Sequence, residues 1–464
     1  MSRPDHPSRR ASLAATLRLA VPLMVAQVAT VALALVDTIT FGFLGTQALA
    51  GGGLGASVFS LVNITCVGVL MATGNIVAFA HGAGRPDEVR AAVAGGLVVA
   101  LGLGLATMLA AFMAGEAVLR ATGQAPAVAS TASVYLAWAC LGLVPSLALT
   151  VLRGLTVGLG RPGPITLITV AAVAIKALLN LPLILVAGDM SDAERAGFGA
   201  AWTGAATAAT YLVMAGGLWL WCRKRLPEML PRLGARPWRA PRTGETLRLG
   251  LPIGLTYGVE AGLFTMVALI VGRSGEIALA AHTIGNQLVY VAFMVVVGLS
   301  HAASVRVGQA AGAGDLAGAR RCGREALVLT IAVTSVTAAV FAGFGEPLAA
   351  LLVGRADETS GDVVALAAGL LLVAAAFQWA DGTQNVAMGA LRGLKDSRAT
   401  AIIAIASYWG VGIPAAWWLA ASNGAIGAWW GLCIGLYTAA GLMVIRFELV
   451  TRISNEAAHR AAPV

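Results

Sequence analysis

The chain has 464 residues, 58% of them hydrophobic and 11% charged, with a mean hydropathy of +0.82. Soluble domains usually carry about 25% charged residues, so this composition excludes a soluble protein of this length. The net charge of +9 comes mainly from Arg and Lys in short breaks between apolar runs, so a nucleic-acid partner is not needed to explain it.

The apolar runs are long enough to cross a bilayer, which takes roughly 20 residues. Segments such as 97–115 are apolar all round, whereas the strands of a membrane barrel alternate apolar and polar residues. We therefore predict an all-α integral membrane protein of about twelve transmembrane helices, the first retained and not cleaved as a signal peptide. The predicted spans are 15–43, 51–80, 91–114, 131–156, 164–187, 197–221, 247–272, 279–305, 324–347, 363–390, 398–420 and 425–446.

Arg and Lys residues concentrate at both ends of the chain and in the breaks after even-numbered spans. The breaks after odd-numbered spans hold only Arg120, Arg195, Arg273 and Arg355. The positive-inside rule then places both termini and the even-numbered loops in the cytoplasm.

The two halves of the chain repeat each other at a shift of 230 residues. Under this shift LRLAVP at 17–22 falls on LRLGLP at 247–252, and GAG at 82–84 falls on GAG at 312–314. We predict two homologous six-helix lobes, 1–221 and 247–464, joined by a basic cytoplasmic linker at 222–246. Because six is even, both lobes share one orientation, related by an axis along the membrane normal.

The sequence contains no recognisable motif for ATP hydrolysis or metal catalysis. None of its lysines (Lys176, Lys224, Lys395) follows a glycine, so a phosphate-binding P-loop is absent, and no H-E-x-x-H motif occurs. The five cysteines are scattered and are interpreted as small buried apolar residues. We expect a gradient-driven transporter that is not an enzyme and has no cofactor.

Three acidic residues lie inside predicted spans and away from the span ends: Asp37 in the first, Glu260 in the seventh and Asp381 in the tenth. Such a residue costs roughly 2.5–3.5 kcal/mol on insertion, which indicates either a permanently protonated structural acid or a group that handles ions. We favour the second and expect a central cavity between the lobes. The candidate lining residues are Gln27, Thr30, Tyr257, Phe264, Gln287, Tyr290, Phe293, Gln378, Gln384 and Asn385.

A carboxylate in such a cavity can take up a proton, bind a sodium ion or attract a cationic substrate. Competition between the coupling ion and the substrate for one carboxylate is sufficient for antiport, because linkage makes their mutual effects reciprocal. We expect Na⁺, if it is the coupling ion, to bind at Glu260 and Asp381, although the residues do not distinguish Na⁺ from H⁺.

Lys176 and Asn180 lie one turn apart near the middle of the fifth span, where a lone ammonium is unfavourable. Two interpretations stay open here. Either Lys176 reaches the membrane surface or the helix boundary is displaced, or it has an internal partner, for which Asp37 is the natural candidate.

Five segments have a distinctive sequence: 36–51, 250–264, 280–287, 305–315 and FQWADGTQNVAMGALRGLKDSR at 377–398. They resemble the MATE (multidrug and toxic compound extrusion) family, in particular its NorM-like branch.

The resemblance implies a V-shaped, outward-open fold of two lobes that exports cationic amphipathic drugs in exchange for Na⁺ or H⁺. It matches Asp37 to the family's acid in the first helix, Glu260 and Asp381 to the cation-site acids of the second lobe, and Asn180 to a polar residue of the first lobe. Lys176 departs from the pattern, because a neutral polar residue is expected there. If Lys176 pairs with Asp37, coupling rests on Glu260 and Asp381.

The leading hypothesis is therefore a secondary antiporter of a bacterial inner membrane that exports organic cations by alternating access. We expect it to be a monomer whose partners are these small-molecule cations and membrane lipid. The alternative is a flippase or exporter of a lipid-linked oligosaccharide or peptidoglycan precursor. An anionic lipid phosphate would require several arginines in the cavity. We assign only Lys176 to the interior of a span, so this alternative is weaker.

Overall fold

The computed structural model describes residues 9–121, 123–186, 190–231, 242–353 and 360–461. Within these ranges the chain forms helices and short connections, with no strand. The basic segment 1–8 and the middle of the predicted linker, 232–241, lie outside the described residues. The helices are α1 Arg9–Leu44, α2 Thr46–Gly82, α3 Pro86–Ala121, α4 Pro126–Ala139, α5 Leu143–Gly158, α6 Gly163–Val186, α7 Asp192–Arg225, α8 Thr243–Gly272, α9 Glu276–Gly312, α10 Leu316–Leu352, α11 Ser360–Gly393, α12 Ser397–Ile405 and α13 Ile413–Ala461.

Eleven helical runs of the described residues are long and apolar enough to cross a membrane. One combines α4 and α5 across a 3₁₀ turn at Cys140–Gly142, and another combines α12 and α13 across a π-helical segment at Ala406–Gly412. Nearly all the runs extend several residues beyond the predicted spans, because charged and turn residues at the membrane surface continue the helices.

The last run, Ser397–Arg452, is 56 residues long and contains two of the predicted spans. Its backbone leaves the helical region at Gly424 (φ 56°, ψ −137°). A Cβ on Gly431 would lie 2.1 Å from the Ala416 backbone nitrogen, and one on Gly435 would lie 2.8 Å from the Gly412 Cα. The segments before and after Gly424 therefore pack against each other as an antiparallel pair, which agrees with about twelve spans.

Because of this close approach, we expect a substitution at Gly431 to destabilise the protein. Gly431→Ala places a methyl group against the backbone of the facing helix, and such overpacking costs about 1–3 kcal/mol. The melting temperature of the purified protein in detergent should fall. Gly441→Ala on the same helix is the matched control, because no atom lies within 4 Å of its added Cβ. Equal melting temperatures for the two variants would contradict the close packing.

The repeat seen in the sequence recurs in the backbone. Gly45 and Gly275 precede α2 and α9 with φ of 104° and 109°, and Gly84 and Gly314 follow these helices with φ of 69° and 79°. Each pair is separated by the same 230 residues. Glycine is required at these four positions because other residues rarely adopt positive φ.

Contacts divide the chain into two compact units, Met1–Met24 with Leu255–Val464 and Val25–Gly254. The boundaries fall inside α1 and α8 and are themselves related by the 230-residue shift. The predicted lobes assign α1 and α8 whole to one lobe each, whereas the contacts divide both helices. The first unit holds most of the predicted second lobe and has a core around Phe377, Tyr408 and Trp429. The second unit holds most of the predicted first lobe and has a core around Phe41 and Tyr135.

Candidate functional site

Glu260 and Asp381 lie in the first unit, on α8 and α11. Their residues are only 6% and 2% exposed. Apolar side chains of both helices build the core of this unit, so the two acids are surrounded by protein. Their burial requires a hydrogen-bonding or charged partner for each carboxylate.

One amide group links the two acids. The Nε2 atom of Gln384 donates to Glu260 Oε1 at 3.4 Å and to Asp381 Oδ1 at 3.3 Å. Gln384 is itself fixed by the hydroxyl of Tyr408, which donates to its Oε1 at 2.5 Å. Tyr408 is fully buried and lies in the π-helical segment, a distortion often found at functional sites.

The arrangement favours the uptake of one positive charge. Two ionised carboxylates that share one amide repel each other in a poorly solvated interior. The hydrogen bonds that hold them are longer than the usual 2.9 Å or so, so both side chains are only weakly restrained. A proton or a cation with oxygen ligands would relieve the repulsion.

A buried arginine borders this cluster. Arg392, in the last turn of α11, is 4% exposed. Its Nη1 donates to the Tyr257 hydroxyl at 3.5 Å, and its Cζ lies 5.1 Å from the centroid of that ring. The site therefore contains two carboxyl groups and one guanidinium group.

The third acid belongs to the other unit. Lys176 Nζ lies 2.7 Å from Asp37 Oδ2, and both side chains are about 95% buried. The hydroxyls of Tyr135 and Thr207 each donate to the same oxygen at 3.3 Å. The internal partner that the sequence left open for Lys176 is thus Asp37. The Lys176 ammonium, a fixed part of the protein, balances the charge of the Asp37 carboxylate in a salt bridge.

Part of this second cluster carries no hydrogen bond. Among the described residues, Asp37 Oδ1 and both amide atoms of Asn180 are buried without a partner. Asn180 is 1% exposed and lies one turn after Lys176 on α6. The fifth span therefore brings Lys176 to the acid and leaves the Asn180 amide available.

A family model described as MatE matches residues 22–214 and 252–418, which is most of the chain. The chain belongs to the MatE family.

Curated relatives agree with this assignment and with the NorM-like branch. A probable multidrug resistance protein NorM of Pseudomonas aeruginosa is 42% identical, with 95% of this chain and 90% of that protein covered. Another, from Pseudomonas syringae pv. tomato, is 38% identical, with 96% and 97% covered. The fold matches a crystal structure of MATE in complex with MaL6 at a TM-score of 0.86 and 19% identity, with 96% of this chain and 97% of that one covered.

The other predicted cavity residues of this MatE protein are spread over both units. In the second unit, Gln27 Oε1 accepts a hydrogen bond from Arg153 at 2.7 Å, and the Thr30 hydroxyl donates to its own helix. In the first unit, Gln378 and Asn385 are buried on α11 near Asp381, and the Asn385 carbonyl accepts from Ser300.

The remaining aromatic and amide candidates are Phe264, one helical turn after Glu260 on α8, and three residues of α9. Gln287 and Tyr290 are exposed on α9, while Phe264 and Phe293 are partly buried. Within the described part of the chain, no hydrogen bond joins Gln287 or Tyr290 to Glu260 or Asp381. Their role as cavity residues stays a prediction.

Sequence reasoning missed three groups that complete the sites. Tyr135 and Thr207 lie far from Asp37 in sequence, so no spacing pattern connects them. Tyr408 reaches Gln384 only because of the π-helical segment, which has no sequence signature here.

The prediction that Lys176 is the only basic residue inside a span is wrong. Arg153 lies within α5, inside the predicted fourth span. Arg392 follows the predicted end of the tenth span, but α11 continues to Gly393 and buries it. The scarcity of basic residues therefore no longer argues as strongly against an anionic substrate.

Proposed function

We propose that this protein is a multidrug efflux antiporter of the bacterial inner membrane, with both termini cytoplasmic, that exports cationic amphipathic compounds in exchange for Na⁺ or H⁺. The observation that supports this most is the buried pair Glu260 and Asp381 held by one amide of Gln384. The relatives named as multidrug resistance proteins support the substrate class.

In the proposed cycle, the coupling cation and the substrate compete for the same negative charge. With the cation absent, the two carboxylates attract a cationic substrate. When the cation enters between Glu260 and Asp381 it neutralises them, and the substrate loses its electrostatic attraction. Linkage requires the substrate to expel the cation by the same factor.

The Asp37 cluster has a different part in this proposal. The Lys176 ammonium already satisfies the carboxylate at 2.7 Å, so an incoming cation would first have to displace it. Coupling therefore rests on the acids of the first unit, and the Lys176–Asp37 pair supplies fixed neutrality in the second.

Export of a lipid-linked anionic precursor is less well supported by the site. Arg153 is bound to Gln27 in one unit, and Arg392 lies against Tyr257 in the other. Arg320 and Arg324 do converge on one point of the described structure, but both already bind the Glu448 carboxylate there, so they are not available to a phosphate.

The coupling ion is tested by dye export from proteoliposomes under separately imposed gradients. An inward Na⁺ gradient at equal pH, or an inward H⁺ gradient without Na⁺, should drive uphill export of ethidium, and protein-free liposomes are the control. If neither gradient drives export, cation-coupled antiport is wrong.

A further inference from the structure

Arg392 is a buried cation with few partners. Its Nη1 contacts the Tyr257 hydroxyl at 3.5 Å, and its Nη2 contacts Met388 Sδ at 3.1 Å, a weak acceptor. Its Nε is buried without a hydrogen bond, and no ion pair of Arg392 occurs among the described residues. A buried guanidinium in this state is far from the stable arrangement, in which its donors are matched to an anion.

The Glu260 carboxylate is a buried anion that also has few hydrogen-bond partners. Its carboxylate receives one long hydrogen bond, from Gln384 at 3.4 Å, and lies one helical turn after Tyr257 on α8. Tyr257 therefore contacts the Arg392 guanidinium and lies one helical turn from the Glu260 carboxylate. The charged and titratable groups around Glu260 are Asp381 and Arg392 of α11, Tyr257 of α8 and Tyr408 of the π-helical segment.

We propose that Arg392 is a tethered counter-charge of the coupling site, which pairs with Glu260 when the coupling cation is absent and rests on Tyr257 when the site is neutralised. The inference rests on the proposed function. It assigns Arg392 as a positioning residue that sets how tightly the site binds its cation.

The charges of the cluster define what it can bind. Two carboxylates and one guanidinium leave a single net negative charge, which one monovalent cation balances. The second unit also places a basic side chain beside a buried acid, and there Lys176 is in direct contact with Asp37. Arg392 lacks that contact, so its site stays open to an exchangeable ion.

The test is the displacement of tetraphenylphosphonium from the purified full-length protein by NaCl at fixed pH, and by protons in sodium-free buffer. Tetraphenylphosphonium is kept well below its own dissociation constant, so that the midpoint reports the binding of the displacing cation alone. Arg392→Gln leaves two unbalanced carboxylates, so this cation should act at a concentration lower by about tenfold or more. Arg392→Lys keeps the charge and should stay within about threefold of the original protein. Arg446→Gln, which removes a half-exposed arginine paired with Asp396, is the control.

A second variant covers the case in which Arg392→Gln does not fold. Tyr257→Phe removes the hydroxyl that holds the guanidinium away from Glu260, so a higher cation concentration should be needed for displacement. An unchanged concentration in Arg392→Gln, an equal shift in Arg392→Gln and Arg392→Lys, or a shift to lower concentration in Tyr257→Phe would overturn the proposal.

The acidic variants separate this proposal from the proposed function. If Glu260→Gln and Asp381→Asn lose the response to cations while Arg392→Gln keeps the original value, only the role of Arg392 fails. If the acidic variants keep the response, the coupling site itself is misassigned and both proposals fail.

Discussion

Glu260→Gln and Asp381→Asn should each reduce gradient-driven dye export to the rate of protein-free liposomes. Each substitution keeps the side-chain size but removes one of the two charges that a cation neutralises, and so removes the competition that drives exchange. The amide can still hydrogen-bond to Gln384, which lies 3.4 Å from Glu260 and 3.3 Å from Asp381, so the helices should still pack. The measurement is the initial rate of ethidium export from proteoliposomes with equal protein content.

The matched control for these variants is Glu346→Gln. Glu346 is an exposed acid of α10, so its neutralisation should leave export unchanged. Full export by both Glu260→Gln and Asp381→Asn, with normal insertion, would show that coupling lies elsewhere.

Removing Lys176 should have the largest effect on stability. Lys176→Met leaves the Asp37 carboxylate buried without its cation, and breaking a buried ion pair in this way costs about 3–5 kcal/mol. The remaining partners, Tyr135 and Thr207, donate hydrogen bonds at 3.3 Å but carry no charge. Asp37 would then be neutralised by a proton, which adds a pH-dependent step to export. Melting temperature and the pH profile of export measure the two effects.

The double variant Lys176→Met with Asp37→Asn separates charge from packing. It removes both charges together, which is often nearly neutral for a buried pair, so the melting temperature should recover. The added pH dependence should disappear as well, because no unpaired carboxylate remains. If Lys176→Met alone has the melting temperature and the pH profile of the unsubstituted protein, the pair contributes to neither stability nor the pH dependence of export.

The sequence was sufficient for the helical architecture because the bilayer imposes length and composition on each span. The 230-residue repeat could also be predicted, since glycines with positive φ, such as Gly45 and Gly275, must recur at equivalent turns. Single-residue reasoning found the acids because charge inside a span is rare.

The partners of these acids could not be predicted in the same way. Tyr135 approaches Asp37 only through tertiary packing of α4 against α1, across 98 residues of sequence. Tyr408 depends on a π-helical segment, and Arg392 on three further residues of α11 beyond the predicted end of the tenth span. Each of these arises from a local boundary or distortion that hydropathy does not record.

The central claim is that one cation, bound by Glu260 and Asp381, displaces the substrate. Equilibrium binding of tetraphenylphosphonium to the purified protein tests it directly, with Na⁺ and H⁺ titrated separately in the original protein and in the double variant Glu260→Gln with Asp381→Asn. We predict that at least one cation weakens binding in the original protein and that neither does so in the double variant. Displacement of tetraphenylphosphonium at the same cation concentration in both proteins would contradict the claim.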